Sequence, residues 1–205
     1  MTNFDFMENF VTDINDLDLK KTYTYSDYIL WKFKERVELI KGKIFKMSPA
    51  PNISHQEISR NINRILDHYF FNKSCKVFYA PLDVLLTDKK KSSEENEIYT
   101  VVQPDLCVIC DLEKIADGKK CVGAPDLVIE ILSPGNSKKE MDSKFDLYQE
   151  SGVLEYWLVY PEEKSINIFV LKDNKYIGLK PVSEGQILTS YIFPELKADM
   201  DKIFI

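Results

Sequence analysis

A chain of 205 residues, 44% of them hydrophobic, is long enough to bury one good-sized core and favours a single domain. Its net charge of −6 and pI near 5.1 argue against a protein that coats nucleic acid through a broad basic field; a nucleic-acid enzyme with a local basic rim and an acidic metal site stays open. No apolar run approaches the ~20 residues that span a bilayer, and MTNFDFMENF lacks a basic start followed by an apolar core, so a soluble, cytoplasmic protein is expected, with no membrane partner.

In chain order, residues 1–22 are acidic and aperiodic, expected as a loosely ordered arm ahead of a domain over 23–205. Tyr25 to Phe33 predicts a short helix. RVELI and KIFKM flank Lys41-Gly42, where glycine can take positive φ, and predict a hairpin with Glu38 set between Val37 and Leu39. SPAPN (48–52) reads as a loop, and Ser54 opens a helix to about Phe71, with Ile58, Ile62, Ile65, Leu66 and Tyr69 on one face. His55 falls in its first turn, where a surface or capping role is the plain reading and a site-lining role the alternative.

Lys76 to Thr87 is expected as one bent strand or two, broken at Pro81, and DKKKSSEEN (88–96) as a solvated loop. In VVQPDLCVICD, Pro104 suits the first position of a strand and Leu106 to Ile109 a central one, which sets Asp105 at the entrance of a buried strand. Cys107 and Cys110 form a CxxC, but residues three apart on a strand face opposite sides. The four cysteines therefore read as reduced core residues rather than zinc or redox ligands. Glu113 to Ala124 reads as a connection. After the region of Glu130, VLEYWLVYP and SINIFVL predict a hairpin, followed by peripheral strands or loops and an unassigned tail. The order of elements gives an α/β fold with a mixed sheet flanked by helices.

Glu130 is the charge hardest to place in water. Leu127, Val128, Ile129, Ile131 and Leu132 form an apolar run around it, the pattern of a strand covered on both faces. A carboxylate there costs on the order of several kcal/mol unless a cation or a proton compensates it. The nearest suitable cation in sequence is Lys144. It lies on the predicted helix Lys138 to Glu150, which follows a Ser-Pro-Gly-Asn turn. Tyr148, Tyr156 and Trp157 read as core aromatics. If the strands carrying Asp105 and Glu130 are neighbours, their carboxylates approach, and such a pair calls for a divalent cation or a raised pKa. Mg2+, or Mn2+ in its place, suits two carboxylates with the Ile131 carbonyl as a further ligand. Lys144 would then act on an attacking water or a phosphoryl oxygen.

The stretch PDLVIEILSPGNSKKEMDSKFDLYQESGVLEYWLV, with TYSDYILW, RVELIKGKIFKMSPAPNISHQEI and VVQPDLCVIC upstream, resembles the Uma2 family of the PD-(D/E)XK nuclease superfamily. The resemblance covers roughly residues 23–170 and rests on several spaced motifs in the same order. It implies a restriction-endonuclease-like core and Mg2+-dependent hydrolysis of DNA phosphodiester bonds. Asp105 matches the Asp of the PD motif, Glu130 the Glu of the (D/E)XK motif, and Glu38 the family's acidic residue in the first hairpin. Leu132 stands where the superfamily places lysine, and Lys144 fits a lysine moved to the following helix. Asp126 also follows a proline and rivals Asp105 as ligand.

Three other readings stay beside this one. Glu130 and Lys144 would also make a purely structural ion pair, the chain would also serve as an inactive nuclease fold that binds DNA or a protein, and Glu38 with Glu130 would form an acid/base pair in a metal-independent hydrolase. A homodimer is the simplest way to cut both strands of a duplex with one site per chain.

Overall fold

The computed structural model describes residues 10–47, 52–87, 97–133 and 138–204. Residues 1–9 of the expected arm, most of SPAPN, all of DKKKSSEEN and most of the turn after Ser133 lie outside the described residues. Residues 10–22 lie against the first hairpin: Val11 pairs with Trp31, and Ile14 is buried with Tyr23, Trp31 and Leu39.

The first half of the chain follows its local signals. Helix α1 (Tyr25–Tyr28) is shorter than the expected 25–33, because Trp31 pairs with Val11 instead of continuing it; it starts at Thr24, whose N–H donates to the Asp27 carboxylate at 2.9 Å. Strands β1 (Val37–Ile40) and β2 (Lys43–Lys46) pair around Lys41 and Gly42, both at positive φ (49° and 76°), the conformation of the turn that matches strand twist. A side chain at Gly42 would meet Thr22, so the position excludes a Cβ on two counts. Helix α2 (Ile53–Phe70) is capped by Asn52, whose side chain accepts the His55 N–H at 2.8 Å.

Next come β3 (Lys76–Tyr79), β4 (Val84–Leu85), β5 (Val101–Val102), β6 (Leu106–Ile109), β7 (Cys121–Val122) and β8 (Leu127–Ile131). Helix α3 (Lys138–Ser151) leads to β9 (Glu155–Tyr160), and β10 (Ser165–Lys172) completes the expected hairpin. Strands β11 (Lys175–Gly178), β12 (Val182–Ser183), β13 (Ile187–Thr189) and β14 (Lys197–Asp199) precede α4 (Met200–Ile203).

The main sheet runs β11-β10-β9-β8-β6-β3, with β12 also on β10; a second sheet runs β2-β1-β5-β4-β7, and β13 pairs with β14. Within the main sheet β8 and β9 are parallel and the other described pairs antiparallel, so the chain must cross over between β8 and β9, and it does so through α3. The result is the expected α/β architecture. Ile58, Ile62, Leu66 and Phe70 of α2 pack on one face of the sheet against Leu106, Ile129 and Trp157. Leu147 and Tyr148 of α3, with Val84 and Val102 of the second sheet, cover the other face at Cys107, Val128 and Tyr156.

Three further expectations change. Pro104 precedes β6 rather than opening it, because β5 and β6 belong to different sheets; Pro81 likewise stands between β3 and β4 of different sheets. Each proline sits where the ladder has to end. Cys75 and Cys110 are disulfide-bonded, not reduced. Lys76 pairs with Ile109 in the antiparallel register, and one further step brings the two cysteines opposite each other. Cys107 and Cys121 are buried free thiols, and Cys107 does face the opposite side from Cys110. The tail left unassigned forms β14 and α4, which close the α2 face of the core.

That closure depends on Glu155, a fully buried carboxylate. It accepts the Trp157 indole N–H, the Ser190 hydroxyl (3.0 Å) and the backbone N–H groups of Tyr191 (2.9 Å) and Ile192 (2.8 Å). Glu155→Ala leaves the buried Trp157 and Ser190 donors unpaired, each costing about 1–3 kcal/mol, and frees the part-buried N–H groups of Tyr191 and Ile192. A loss of about 3 kcal/mol or more is expected in urea unfolding, with Glu155→Gln losing less. A loss below about 1 kcal/mol for the alanine variant would refute the closure.

Candidate active site

The site lies at the end of β8 that faces the start of β6. Leu106 pairs with Ile129 and Cys107 with Val128, and the Ile131 N–H donates to the Asp105 carboxylate just beyond the last pair, so Asp105 stands beside Glu130 at this end of the two strands. Asp126 sits at the other end of β8, four residues or about 13 Å away along the strand. Its carboxylate accepts the Cys110 N–H at 2.8 Å. The geometry thus brings Asp105 to Glu130 and leaves Asp126 apart.

Glu130 is as buried as its neighbours imply, at 8% exposure. Lys144 arrives from α3, one turn before Tyr148, and both side chains meet the same carboxylate oxygen. Lys144 Nζ donates to Glu130 Oε1 at 3.0 Å and the Tyr148 hydroxyl donates to it at 2.6 Å. Lys144 Nζ also lies 3.2 Å from Glu38 Oε1. Glu38, 3% exposed, comes from β1 in the second sheet and accepts the Gln103 N–H at 2.9 Å. Gln103 in turn is tied down by its side chain, which donates to Asp83 at 2.7 Å and accepts from Arg36 at 2.6 Å. The run Gln103-Pro104-Asp105 therefore serves two carboxylates, holding Glu38 by its backbone and presenting Asp105 two residues later.

Asp105 is anchored in a different way. Its Oδ2 accepts the Ile131 N–H at 2.8 Å, and His55 Nε2 lies 3.2 Å from the same oxygen. The sequence reading of His55 as a surface or capping residue fails on both counts: the ring is buried, and the cap is Asn52.

Burial pushes the Glu130 carboxyl up to about 7; Lys144 pulls it down, and the charges of Asp105 and Glu38 add to the rise. For Lys144, burial works against the charged form, but the carboxylates of Glu130 and Glu38 outweigh it and hold the ammonium well above its ordinary range. Tyr148 is pushed up by burial and by Glu130, so it remains a donor. Burial alone would lower His55, yet the bond and charge of Asp105 leave it raised. A cavity of about 20 Å3 beside Glu130, Lys144 and Met141 has room for one water.

Among the described residues no three His, Cys, Asp or Glu side chains form a ready-made metal cage. Mg2+ does not require one, since it commonly keeps several waters and takes one or two carboxylates together with substrate phosphates. Asp105 and Glu130 are neighbouring hard oxygen donors, and the Asp105 charge adds to the cost of ionising Glu130. Their chemistry fits such an ion, with the Ile131 carbonyl adjacent. Glu38 is engaged with Lys144 rather than with Asp105.

The sequence marked Asp105, Glu130, Lys144 and Glu38. It gave His55 a site-lining role only as the alternative, which its contact with Asp105 supports, and it missed Gln103 and Tyr148 as members of the same cluster. Tyr148 had one legible signal, its spacing of four residues from Lys144, which puts the two on one helix face.

Removing the ammonium leaves Glu38 and Glu130 buried together without their cation. Lys144→Met is expected to lower stability by about 3–5 kcal/mol in denaturant unfolding. A change below about 1 kcal/mol would show that the pair is not held as described.

The chain is similar to the protein named "Uncharacterized protein slr1290" of Synechocystis sp., 24% identical over 151 residues, which cover 72% of this chain and 74% of that protein. Its fold is similar to that of a crystal structure titled "a putative nuclease belonging to DUF820" from Anabaena variabilis. The TM-score is 0.68 at 19% identity, over 89% of this chain and 97% of that one. The Uma2 family model, described as "Putative restriction endonuclease", matches residues 25–201, and the chain belongs to that family.

Proposed function

We propose that this protein is a Mg2+-dependent DNA endonuclease, with Mn2+ able to replace Mg2+. The observation that carries the reading is the meeting of Asp105, Glu130 and Lys144, which lie on two neighbouring strands and the crossover helix. Asp105 and Glu130 would hold the ion, with the Ile131 carbonyl as a further ligand. When bound, the divalent ion would supply Lewis-acid polarisation of a phosphoryl oxygen and a more acidic water.

The chain's own groups do the rest. Lys144, whose charged form is favoured by Glu130 and Glu38, can donate to a water in the adjoining cavity or to a phosphoryl oxygen that gains charge in the transition state. Glu38 holds the ammonium on its other side as an ion-pair partner. Lys144 thus takes the part of the lysine replaced by Leu132. A nucleic-acid substrate is further supported by Arg60, Arg64 and His68, which line a groove of about 750 Å3 on the exposed face of α2 with Tyr69 and Phe71. A two-fold dimer acting on both strands, in the cytoplasm, completes the proposal. No described helix is long and apolar enough to cross a membrane.

A second reading has its own observation. Lys144 is ion-paired on two sides, to Glu38 and Glu130, which also suits an inactive fold that binds DNA or a protein.

Plasmid incubation with Mg2+ separates the two. The wild-type chain should nick or linearise the plasmid, while Asp105→Asn, Glu130→Ala and Lys144→Ala should lose activity by at least about 100-fold. Equal cleavage in all four preparations, or none in any, would overturn the nuclease reading.

A further inference from the structure

The two candidate ligands are held in the same manner. Glu130 is gripped at Oε1 by Lys144 and Tyr148, and Asp105 is gripped at Oδ2 by the Ile131 N–H and His55. With its proton on Nε2, His55 is the second donor to the Asp105 oxygen. Two donors on one oxygen fix a carboxylate's torsion and direct coordination to its other oxygen, here Oε2 of Glu130 and Oδ1 of Asp105.

Neither donor is explained by packing alone. His55 Nδ1 is buried without a hydrogen-bond partner among the described residues. An apolar residue at this place would bury no unpaired nitrogen and would avoid that cost. The helix start gives no reason for histidine either, because Asn52 supplies the cap. What histidine offers over an apolar residue is Nε2 on Asp105. Tyr148 is fully buried, and phenylalanine would fill the same volume; what its hydroxyl adds is the 2.6 Å bond to Glu130.

We infer that His55 and Tyr148 are positioning residues, which hold one oxygen of Asp105 and of Glu130 so that the other oxygen of each is presented to a divalent cation. The inference rests on the nuclease reading's assignment of these two carboxylates as ligands. Outer partners of this kind typically change metal affinity by about 10–100-fold when removed.

The test is calorimetric titration of the full chain with Mn2+ alone, without DNA. It compares wild type, Tyr148→Phe, His55→Phe and His55→Gln, with thermal unfolding of each to confirm the fold. Tyr148→Phe and His55→Phe should weaken Mn2+ binding by about 10–100-fold while unfolding cooperatively. His55→Gln, which restores an N–H donor in place of the ring, should return binding toward the wild-type value. Wild-type affinity in both phenylalanine variants would overturn the positioning role and leave the nuclease reading standing. Binding as weak in His55→Gln as in His55→Phe would overturn it for His55. Failure of the wild-type chain itself to bind Mn2+ would overturn the metal reading on which the inference stands. Should His55→Phe not fold, the Tyr148→Phe titration decides alone, since that variant removes a single oxygen.

Discussion

The architecture turns on one ammonium placed among carboxylates. Lys144 is held between Glu38 and Glu130, with Asp105 contributing to the field, and all but Asp105 are nearly excluded from water. Such a cluster is expensive to assemble, and it is stable only with every partner present. Each partner comes from a different element: β1, β8, α3 and the approach to β6. The hairpin, the central strand and the crossover helix must therefore dock together for the charge to be satisfied. The site is also a fastening of the fold.

The parallel step between β8 and β9 makes this possible. A parallel neighbour requires a crossover, and the crossover is α3, which returns over the sheet face on which Glu130 lies. Lysine is absent from position 132, but Lys144 reaches the same carboxylate from above the sheet instead of along the strand. The antiparallel step from β8 to β6 adds Asp105 on the other side. One strand thus receives a cation from one direction and a second carboxylate from another.

Much of this could be read from residues that break a local rule. Glu130 within an apolar run and Asp105 after a proline at a strand entrance both announce a cost that something must offset, and the pairing of Glu130 with Lys144 is the offset found. The Lys41-Gly42 turn and the α2 stripe were equally plain, since their signals lie within a few residues. What the sequence hid depends on register and on contacts between distant segments. The Cys75–Cys110 bond needs the β3/β6 pairing, and the sheet changes at Pro81 and Pro104 need the whole topology. Tyr148 was hidden, and His55 left between two readings, for another reason. A buried histidine in a first turn, or a tyrosine on an apolar helix face, looks the same whether it packs or orients a ligand, and its hydrogen-bond partner tells them apart.

The proposed chemistry requires Asp105 and Glu130 to hold a divalent cation together, beside Lys144. Crystals soaked in Mn2+, with the ion located by its anomalous scattering, test it directly. One ion is expected at coordination distance from carboxylate oxygens of both Asp105 and Glu130. An ion bound at Asp126, or none near Glu130 at saturating Mn2+, would contradict it.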